Sequence, residues 1–253
     1  SDSSPGLRNA QIGAIHALAS FNALKSKDTS IIVMPTGSGK TAVLMMAPYV
    51  LTKEKVLIVT PSKMVRGQIT EDFQSLRTLC KAQVFPNTIK KPIVYEMTHK
   101  YNDQMISVLK KSDVIIATPN CALSLSESSW ARENIDLVEI DEAHHVPATT
   151  WQQILINLKE RCHVLFTATP FRLDRKEISG EIIFDYPLSQ AYEDGIFGEI
   201  KFVPVDESGN KDLNIAKKAE EVLQNDRNEG YDHYLMVRTD SKKNATILET
   251  LYS

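Results

Sequence analysis

The sequence predicts an α/β fold, with a mostly parallel sheet flanked by helices and an incomplete second α/β domain after it. Short apolar runs alternate with helical patterns along most of the 253 residues, which is typical of parallel strands joined by crossover helices. The runs are continuously apolar, as in strands buried on both faces of a sheet. A polar stretch at residues 172–181 breaks the alternation. We therefore expect a first domain over residues 1–180, and a linker with the N-terminal part of a second domain over residues 181–253.

Each expected element follows from its local pattern. In the first domain, strands are expected at residues 30–34, 56–60, 92–95, 113–117, 137–141 and 163–167. Helices are expected near residues 40–49, 62–79, 103–110 and 149–158. Beyond residue 181, helices are expected at 188–194, 213–225 and 242–252, and strands at 200–205 and 234–237.

Composition is that of an ordinary globular protein, with 42% hydrophobic and 24% charged residues. The net charge of −3 gives no bulk attraction to nucleic acid, so any such binding must use a local patch. No run approaches the roughly 18 apolar residues of a membrane span, and no signal peptide is evident. Cys80, Cys121 and Cys162 are widely spaced, which favours buried thiols in a reducing cytosol over a disulfide or metal framework. We expect a cytoplasmic protein.

Residues 34–41 (MPTGSGKT) follow the first expected strand and form a candidate phosphate-binding loop. Gly37 and Gly39 allow a tight turn with inward N–H groups. Lys40 would reach the β- and γ-phosphates, and the Thr41 hydroxyl would bind Mg²⁺. Met34 stands where the general pattern has glycine, so the strict pattern fails and a simple glycine-rich turn stays an alternative. The predicted nucleotide contacts in this segment are Thr36, Gly37, Ser38, Gly39, Lys40 and Thr41.

An acidic pair, Asp141 and Glu142, ends another apolar strand. Asp141 is expected to hold Mg²⁺, and Glu142 to orient and deprotonate an attacking water. Alone, such a pair is usually the start of a solvated loop. Together with the phosphate-binding loop, it indicates a nucleoside triphosphatase, with Lys40, Asp141 and Glu142 as catalytic residues. In parallel sheets ligands bind at the carboxyl ends of strands, where both motifs and residues 167–169 are expected to meet.

Several ordered segments resemble superfamily 2 helicases and translocases of the DEAH-type group, in the branch that resembles type III restriction Res subunits. In chain order these are residues 7–11 (LRNAQ), 35–41, 60–62, 117–120, 141–144 (DEAH), 167–174 (TATPFRLD) and 237–239. The resemblance implies a RecA-like domain that binds ATP and Mg²⁺, followed by the start of a second such domain.

The resemblance also implies roles for individual residues. Gln11 would pair with an adenine edge. Ser62, Arg66, Thr118 and Asn120 would contact a nucleic-acid backbone, while His144, Thr167 and Thr169 would couple the nucleotide site to strand binding. DNA is favoured over RNA as the partner because of the TATPFRLD segment.

The family's last motifs, which supply arginine fingers, do not occur in these 253 residues. We therefore expect a fragment, with further domains or subunits outside it, that binds nucleotide but hydrolyses it weakly. Loss of an arginine finger costs about 10³–10⁵ in rate. The alternatives are an RNA helicase, another phosphate-loop enzyme such as a kinase or switch GTPase, and a nucleotide-gated nucleic-acid binding module.

Overall fold

A computed structural model describes residues 6–26, 28–143, 148–169, 179–198, 201–206 and 208–252. The chain divides into two compact units, Ser1–Gly198 and Glu199–Ser253. The first unit extends past the boundary expected after residue 180. The reason is that residues 181–185, which were expected in a linker, form a strand of the sheet of the first unit.

The first unit contains a seven-stranded sheet in which every pair is parallel. Its order is β3-β4-β2-β5-β6-β1-β7. The strands are β1 (Ser30–Val33), β2 (Val56–Val59), β3 (Val94–Met97), β4 (Val114–Ala117), β5 (Leu137–Ile140), β6 (Cys162–Thr167) and β7 (Glu181–Asp185). The α/β prediction with a parallel sheet is confirmed. The strand β7, which pairs with β1 at the edge of the sheet, was not predicted.

Nine α-helices connect or cover these strands among the described residues of the first unit. They are α1 (Asn9–Ala23), α2 (Lys40–Val50), α3 (Lys63–Ser75), α4 (Arg77–Lys81), α5 (Ile106–Lys111), α6 (Pro119–Ser126), α7 (Ser129–Asn134), α8 (Ala148–Asn157) and α9 (Leu188–Glu193). A 3₁₀ turn at Asp103–Met105 precedes α5. The sequence prediction omitted α1, α6 and α7.

The sheet has an apolar core on each face, as continuously apolar strands require. Neighbouring residues of β1 point to opposite faces, so Ile31 and Ile32 belong to different buried clusters. One cluster includes residues of α1, α2 and α3, and the other includes residues of α6, α7 and α8. Helices therefore cover both faces of the sheet. The carboxyl ends of its strands stay available for a site.

The second unit contains α10 (Lys211–Asn228) and α11 (Lys242–Tyr252), both close to the predicted helices. The strands predicted at 200–205 and 234–237 do not form among the described residues, where Phe202 and Tyr234 are 90% and 92% exposed. Two short apolar segments make a marginal sheet without further strands or cover. Among the described residues, no helix combines the length and apolarity needed to cross a membrane.

Candidate active site

The phosphate-binding loop, the acidic pair and residues 167–169 meet at the carboxyl ends of the strands. They do so because β1, β5 and β6, which they follow, are neighbours in the sheet. The backbone N–H of Met34, at the start of the phosphate-binding loop, donates to the Thr167 carbonyl at 2.9 Å. The backbone N–H of Ala143, just after the acidic pair, donates to the Phe166 carbonyl at 3.0 Å. The end of β6 thus lies between the loop and the acidic pair and is bonded to both.

The phosphate-binding loop depends on two glycines in left-handed conformations. Gly37 has φ +87°, and Gly39 has φ +92° as the residue that precedes α2. Few residues other than glycine adopt these angles without strain. Ser38 is buried, and its hydroxyl donates to the Pro35 carbonyl at 2.6 Å. Because α2 begins at Lys40, the loop lies at a helix N-terminus, which favours anionic ligands.

Lys40 and Glu142, predicted to act at the same phosphate, are in direct contact. The Lys40 Nζ donates to Glu142 Oε1 at 2.5 Å. Glu142 has φ +50°, a left-handed conformation that is rare for a non-glycine residue and concentrates at functional sites. The turn after β5 therefore presents the Glu142 carboxylate to Lys40, the predicted phosphate-binding lysine.

Asp141 is largely buried at the end of β5, with 9% exposure. Burial, together with the neighbouring Glu142 charge, raises the pKa of Asp141 to about 6, although Lys40 opposes this shift. A cation beside Asp141 would lower this pKa and favour the ionised form. Thr41 follows Lys40 in the first turn of α2 and is half-buried. Oxygen donors of this kind fit Mg²⁺.

Glu139, to which the sequence prediction gave no role, lies in the middle of β5 and is fully buried. Neither carboxyl oxygen has a hydrogen-bond partner. Burial first, and then the charge of Asp141, raise the pKa of Glu139 well above its ordinary value. The surroundings of Glu139, two residues before Asp141 in the strand, therefore favour its protonated form. The only signal in the sequence was a single charge inside an apolar strand.

Gln11 links α1 to the phosphate-binding loop. Its Nε2 donates to the Gly39 carbonyl at 3.2 Å, and its Oε1 accepts from the Arg8 backbone N–H at 2.9 Å. Arg8 in turn donates from its guanidinium to the Gly37 carbonyl at 2.9 Å. A primary amide has two donors and two acceptor positions. Gln11 thus retains one donor and one acceptor, the pair that an adenine edge requires.

The remaining predicted residues of the nucleotide and coupling motifs have different environments. Thr36 is exposed and Thr41 is half-buried. The Thr167 hydroxyl donates to the Thr169 carbonyl at 2.6 Å and accepts from the Thr169 backbone N–H at 3.2 Å. These bonds make a tight turn at the end of β6. His144 lies outside the described residues.

The predicted nucleic-acid residues lie at the ends of β2 and β4, which are neighbours in the sheet. Ser62 caps α3, and its hydroxyl accepts from the Val65 backbone N–H at 3.3 Å. Thr118 precedes α6, and Asn120 is exposed in its first turn. These three residues lie at the carboxyl ends of the strands, as the phosphate-binding loop does.

Arg66 differs from the expected exposed phosphate contact. It is 6% exposed, its Nε donates to Glu96 Oε1 at 2.8 Å, and its Nη1 donates to the Met97 carbonyl at 3.2 Å. The guanidinium is therefore directed to β3, where it finds both a counter-charge and a carbonyl. Burial of an arginine requires such partners.

Comparison with known proteins identifies the family of the chain. A family model described as "Type III restriction enzyme, res subunit" matches residues 4–172, which is more than half of the chain and includes every element from α1 to β6. The chain belongs to this family. Membership in the res-subunit family agrees with the superfamily 2 motor domain that the ordered motifs predicted.

Individual relatives of this res-family chain are distant. It is 29% identical over 185 residues to "Putative helicase 22" of Sulfolobus islandicus filamentous virus (isolate Iceland/Hveragerdi), covering 68% of this chain and 29% of that protein. The chain therefore spans about three tenths of the length of this relative.

Two solved structures share the fold. The first is a nuclease-deletion mutant of the Type ISP restriction-modification enzyme LlaGI in complex with a DNA substrate mimic. Its TM-score is 0.54 at 18% identity, over 87% of this chain and 22% of LlaGI. The second is the Pyrococcus furiosus Hef helicase domain, with a TM-score of 0.52 at 23% identity, over 82% of this chain and 45% of that domain.

Proposed function

We propose that this chain is the ATP-binding part of a nucleic-acid-dependent helicase or translocase. The first unit would be its first RecA-like motor domain, and the second unit the start of the other. The observation that carries the proposal is the contact between Lys40 and Glu142 at 2.5 Å. This contact brings a phosphate-binding cation and a candidate general base to one point, which triphosphate hydrolysis requires.

The loop residues have separate tasks in this proposal. Backbone N–H groups of residues 37–41 would surround the phosphates, and Lys40 would neutralise their charge. Thr41 and Asp141 would hold Mg²⁺, which on binding neutralises negative charge on the β- and γ-phosphates. Gln11 would use its remaining donor and acceptor for the adenine edge.

Glu142 would act on the attacking water as general base. In the structure its carboxylate accepts a hydrogen bond from Lys40. A bound γ-phosphate would attract Lys40 and release the carboxylate toward the water. The exchange of partners would therefore make the base available only when the phosphate is in place.

Nucleic acid would bind at the ends of β2 and β4. Ser62, Thr118 and Asn120 supply hydroxyl and amide groups that suit phosphate oxygens, which determine position rather than sequence. Arg66 would hold β3 against α3 instead of touching the strand. Thr167 and Thr169 would relay between this surface and the nucleotide, and His144 would assist them. DNA is favoured over RNA because of the TATPFRLD segment.

The test is the rate of ATP hydrolysis with no polymer, single-stranded DNA, duplex DNA or RNA. It should be run on these 253 residues and on a longer version that includes two complete motor domains. We expect Mg²⁺-dependent ATP binding by both, and polymer-stimulated hydrolysis mainly by the longer one. Phosphate transfer to a small acceptor would instead indicate a kinase. Tight ATP binding with no stimulated turnover in the longer version would indicate a nucleotide-gated binding module.

A further inference from the structure

The segment that follows α9 brings an aromatic ring to the phosphate-binding loop. A β-carbon placed on Gly37 would lie 3.8 Å from Cε1 of Phe197, so the ring lies against the loop. Phe197 is half-buried, and its ring centroid is 5.5 Å from that of Tyr192. Nothing in the predicted motifs accounts for this ring.

Gly37 is also the residue that Arg8 contacts. The Arg8 guanidinium donates to the Gly37 carbonyl at 2.9 Å, while Gln11 bonds to Gly39 two residues further on. Three side chains, from Arg8, Gln11 and Phe197, therefore converge on the same short loop. They include a cation, an amide with one spare donor and one spare acceptor, and a flat apolar ring.

The Phe197 segment is anchored to the start of α1 rather than left loose. Asp194 accepts a hydrogen bond from the Tyr186 hydroxyl at 2.5 Å and another from Asn9 Nδ2 at 3.2 Å. The Ile196 backbone N–H donates to the Ala191 carbonyl at 2.9 Å. These bonds tie the end of α9 to the helix that carries Gln11, and they fix the position from which the ring projects.

We propose that Phe197 is the stacking surface for the nucleobase of the bound nucleotide, beside the edge contact from Gln11. The inference rests on the proposed nucleotide function and adds the residue that would recognise the base. A nucleotide with phosphates on residues 37–41 must place its base within a ribose length of the loop. Aromatic rings stack on bases with a contribution of about 1–3 kcal/mol per base, and every base offers a flat face.

Stacking and edge recognition would have different consequences for specificity. A ring accepts any base but favours purines, which have the larger face. The amide of Gln11 distinguishes adenine by its hydrogen-bonding edge. Phe197 would therefore set the affinity for nucleotides in general, and Gln11 would set the preference among them.

The test compares ATP with inorganic tripolyphosphate, which has the phosphates but no base. Affinities of both for the 253-residue chain are measured by calorimetry with Mg²⁺ present. We expect Phe197→Ala to weaken ATP binding by about 5- to 150-fold and to leave tripolyphosphate binding within about twofold. Phe197→Tyr should retain most of the ATP affinity. Phe202→Ala, which removes an exposed ring in the second unit, is the matched control and should change neither.

A fluorescent variant gives a second measurement that does not depend on affinity. In Phe197→Trp the new indole should be quenched by ATP but not by tripolyphosphate. Trp130 and Trp151 are buried and should respond little to either ligand. Thermal unfolding of each variant verifies that it is folded.

The outcomes separate this inference from the proposed function. If the unsubstituted chain binds neither ligand, the nucleotide function itself fails. If it binds ATP, and Phe197→Ala weakens ATP and tripolyphosphate equally, then Phe197 only supports the loop and the stacking role is overturned. Binding of ATP by Phe197→Trp without any change in emission would overturn it as well.

Discussion

Lys40 Nζ lies 2.5 Å from Glu142 Oε1, so without nucleotide the phosphate-binding cation and the candidate general base are paired with each other. The pair is largely shielded from water, with side-chain exposures of 9% and 22%. In the proposed function, a nucleotide would therefore compete with Glu142 for Lys40. The contact would lower the availability of both groups until a γ-phosphate separated them.

Removing the Glu142 charge should separate binding from turnover. We expect Glu142→Gln to raise ATP affinity several-fold, because Lys40 loses its ionic partner. Turnover should fall by about 10²–10⁴, the usual contribution of a positioned general base. Calorimetry and phosphate-release rates measure the two effects on the same sample. Lys40→Ala is the control, and it should weaken binding. An unchanged hydrolysis rate in Glu142→Gln would remove Glu142 from the role of base.

Proton competition at Asp141 should make Mg²⁺-dependent nucleotide binding sensitive to pH. Its pKa is raised to about 6, and a metal ligand must be deprotonated. Below about pH 6 each further unit should lower the affinity for Mg·ATP by up to tenfold. Titrations between pH 5 and 8 with and without Mg²⁺ measure the effect. Asp141→Asn should bind Mg·ATP weakly at every pH and lose the slope. A wild-type affinity that stayed flat to pH 5 would contradict the assignment.

Buried Glu139 should make the folded state less stable as pH rises. Its native pKa is raised above the unfolded value, so the native state binds the extra proton. The sign follows: stability is greatest below the unfolded pKa of about 4.5 and falls toward the native pKa by up to about 1.4 kcal/mol per pH unit. Asp141 contributes in the same direction between about 4 and 6.

Urea unfolding at pH 5, 6 and 7 tests this destabilisation. Glu139→Gln cannot ionise, so its free energy of unfolding should fall less with pH than that of the unsubstituted protein. Asp141→Asn, measured alongside, isolates the part of the slope that belongs to Asp141. Parallel pH profiles for Glu139→Gln and the unsubstituted protein would show that Glu139 does not carry the effect.

The strands and the three motifs at their ends could be predicted because their signals are local in sequence. Apolar runs define the strands, and Gly37 and Gly39 mark the turn. The position of Arg66 was not predictable in the same way, because Glu96 is 30 residues away and meets it only through tertiary packing. Phe197 was missed for a similar reason, since a single aromatic residue outside any periodic pattern gives no sign of the loop that it contacts.

The strand β7 illustrates a second limit of local patterns. Glu181–Asp185 follows a polar stretch, and its three apolar residues lie between two charged ones, a pattern that suits an exposed linker equally well. Pairing with β1 decides its structure, because a parallel edge strand gains a ladder from its neighbour. Conversely, residues 234–237 have a stronger apolar pattern but lack a neighbouring strand among the described residues, and they form no ladder.

Substitution of Arg66 should lower the stability of the fold, whereas substitution of Asn120 should lower the affinity for nucleic acid. Arg66→Ala removes a buried cation from Glu96 and from the Met97 carbonyl, so we expect it to destabilise the first unit by about 1–3 kcal/mol. Asn120 is exposed on α6, so Asn120→Ala should leave the unfolding transition unchanged within about 0.5 kcal/mol. Its affinity for a nucleic-acid strand should fall several-fold through loss of a backbone contact.

The two variants are compared by urea unfolding and by anisotropy with a labelled single-stranded DNA at two salt concentrations. Arg66→Lys keeps the charge but cannot donate to Glu96 and to the Met97 carbonyl with the geometry of a guanidinium. We expect it to retain only part of the stability that Arg66→Ala loses. If Arg66 touches phosphate directly, Arg66→Ala will reduce the salt dependence of DNA binding by about one unit of slope with little loss of stability. That result would reverse the assignment and move the guanidinium from the support of β3 to the nucleic-acid surface.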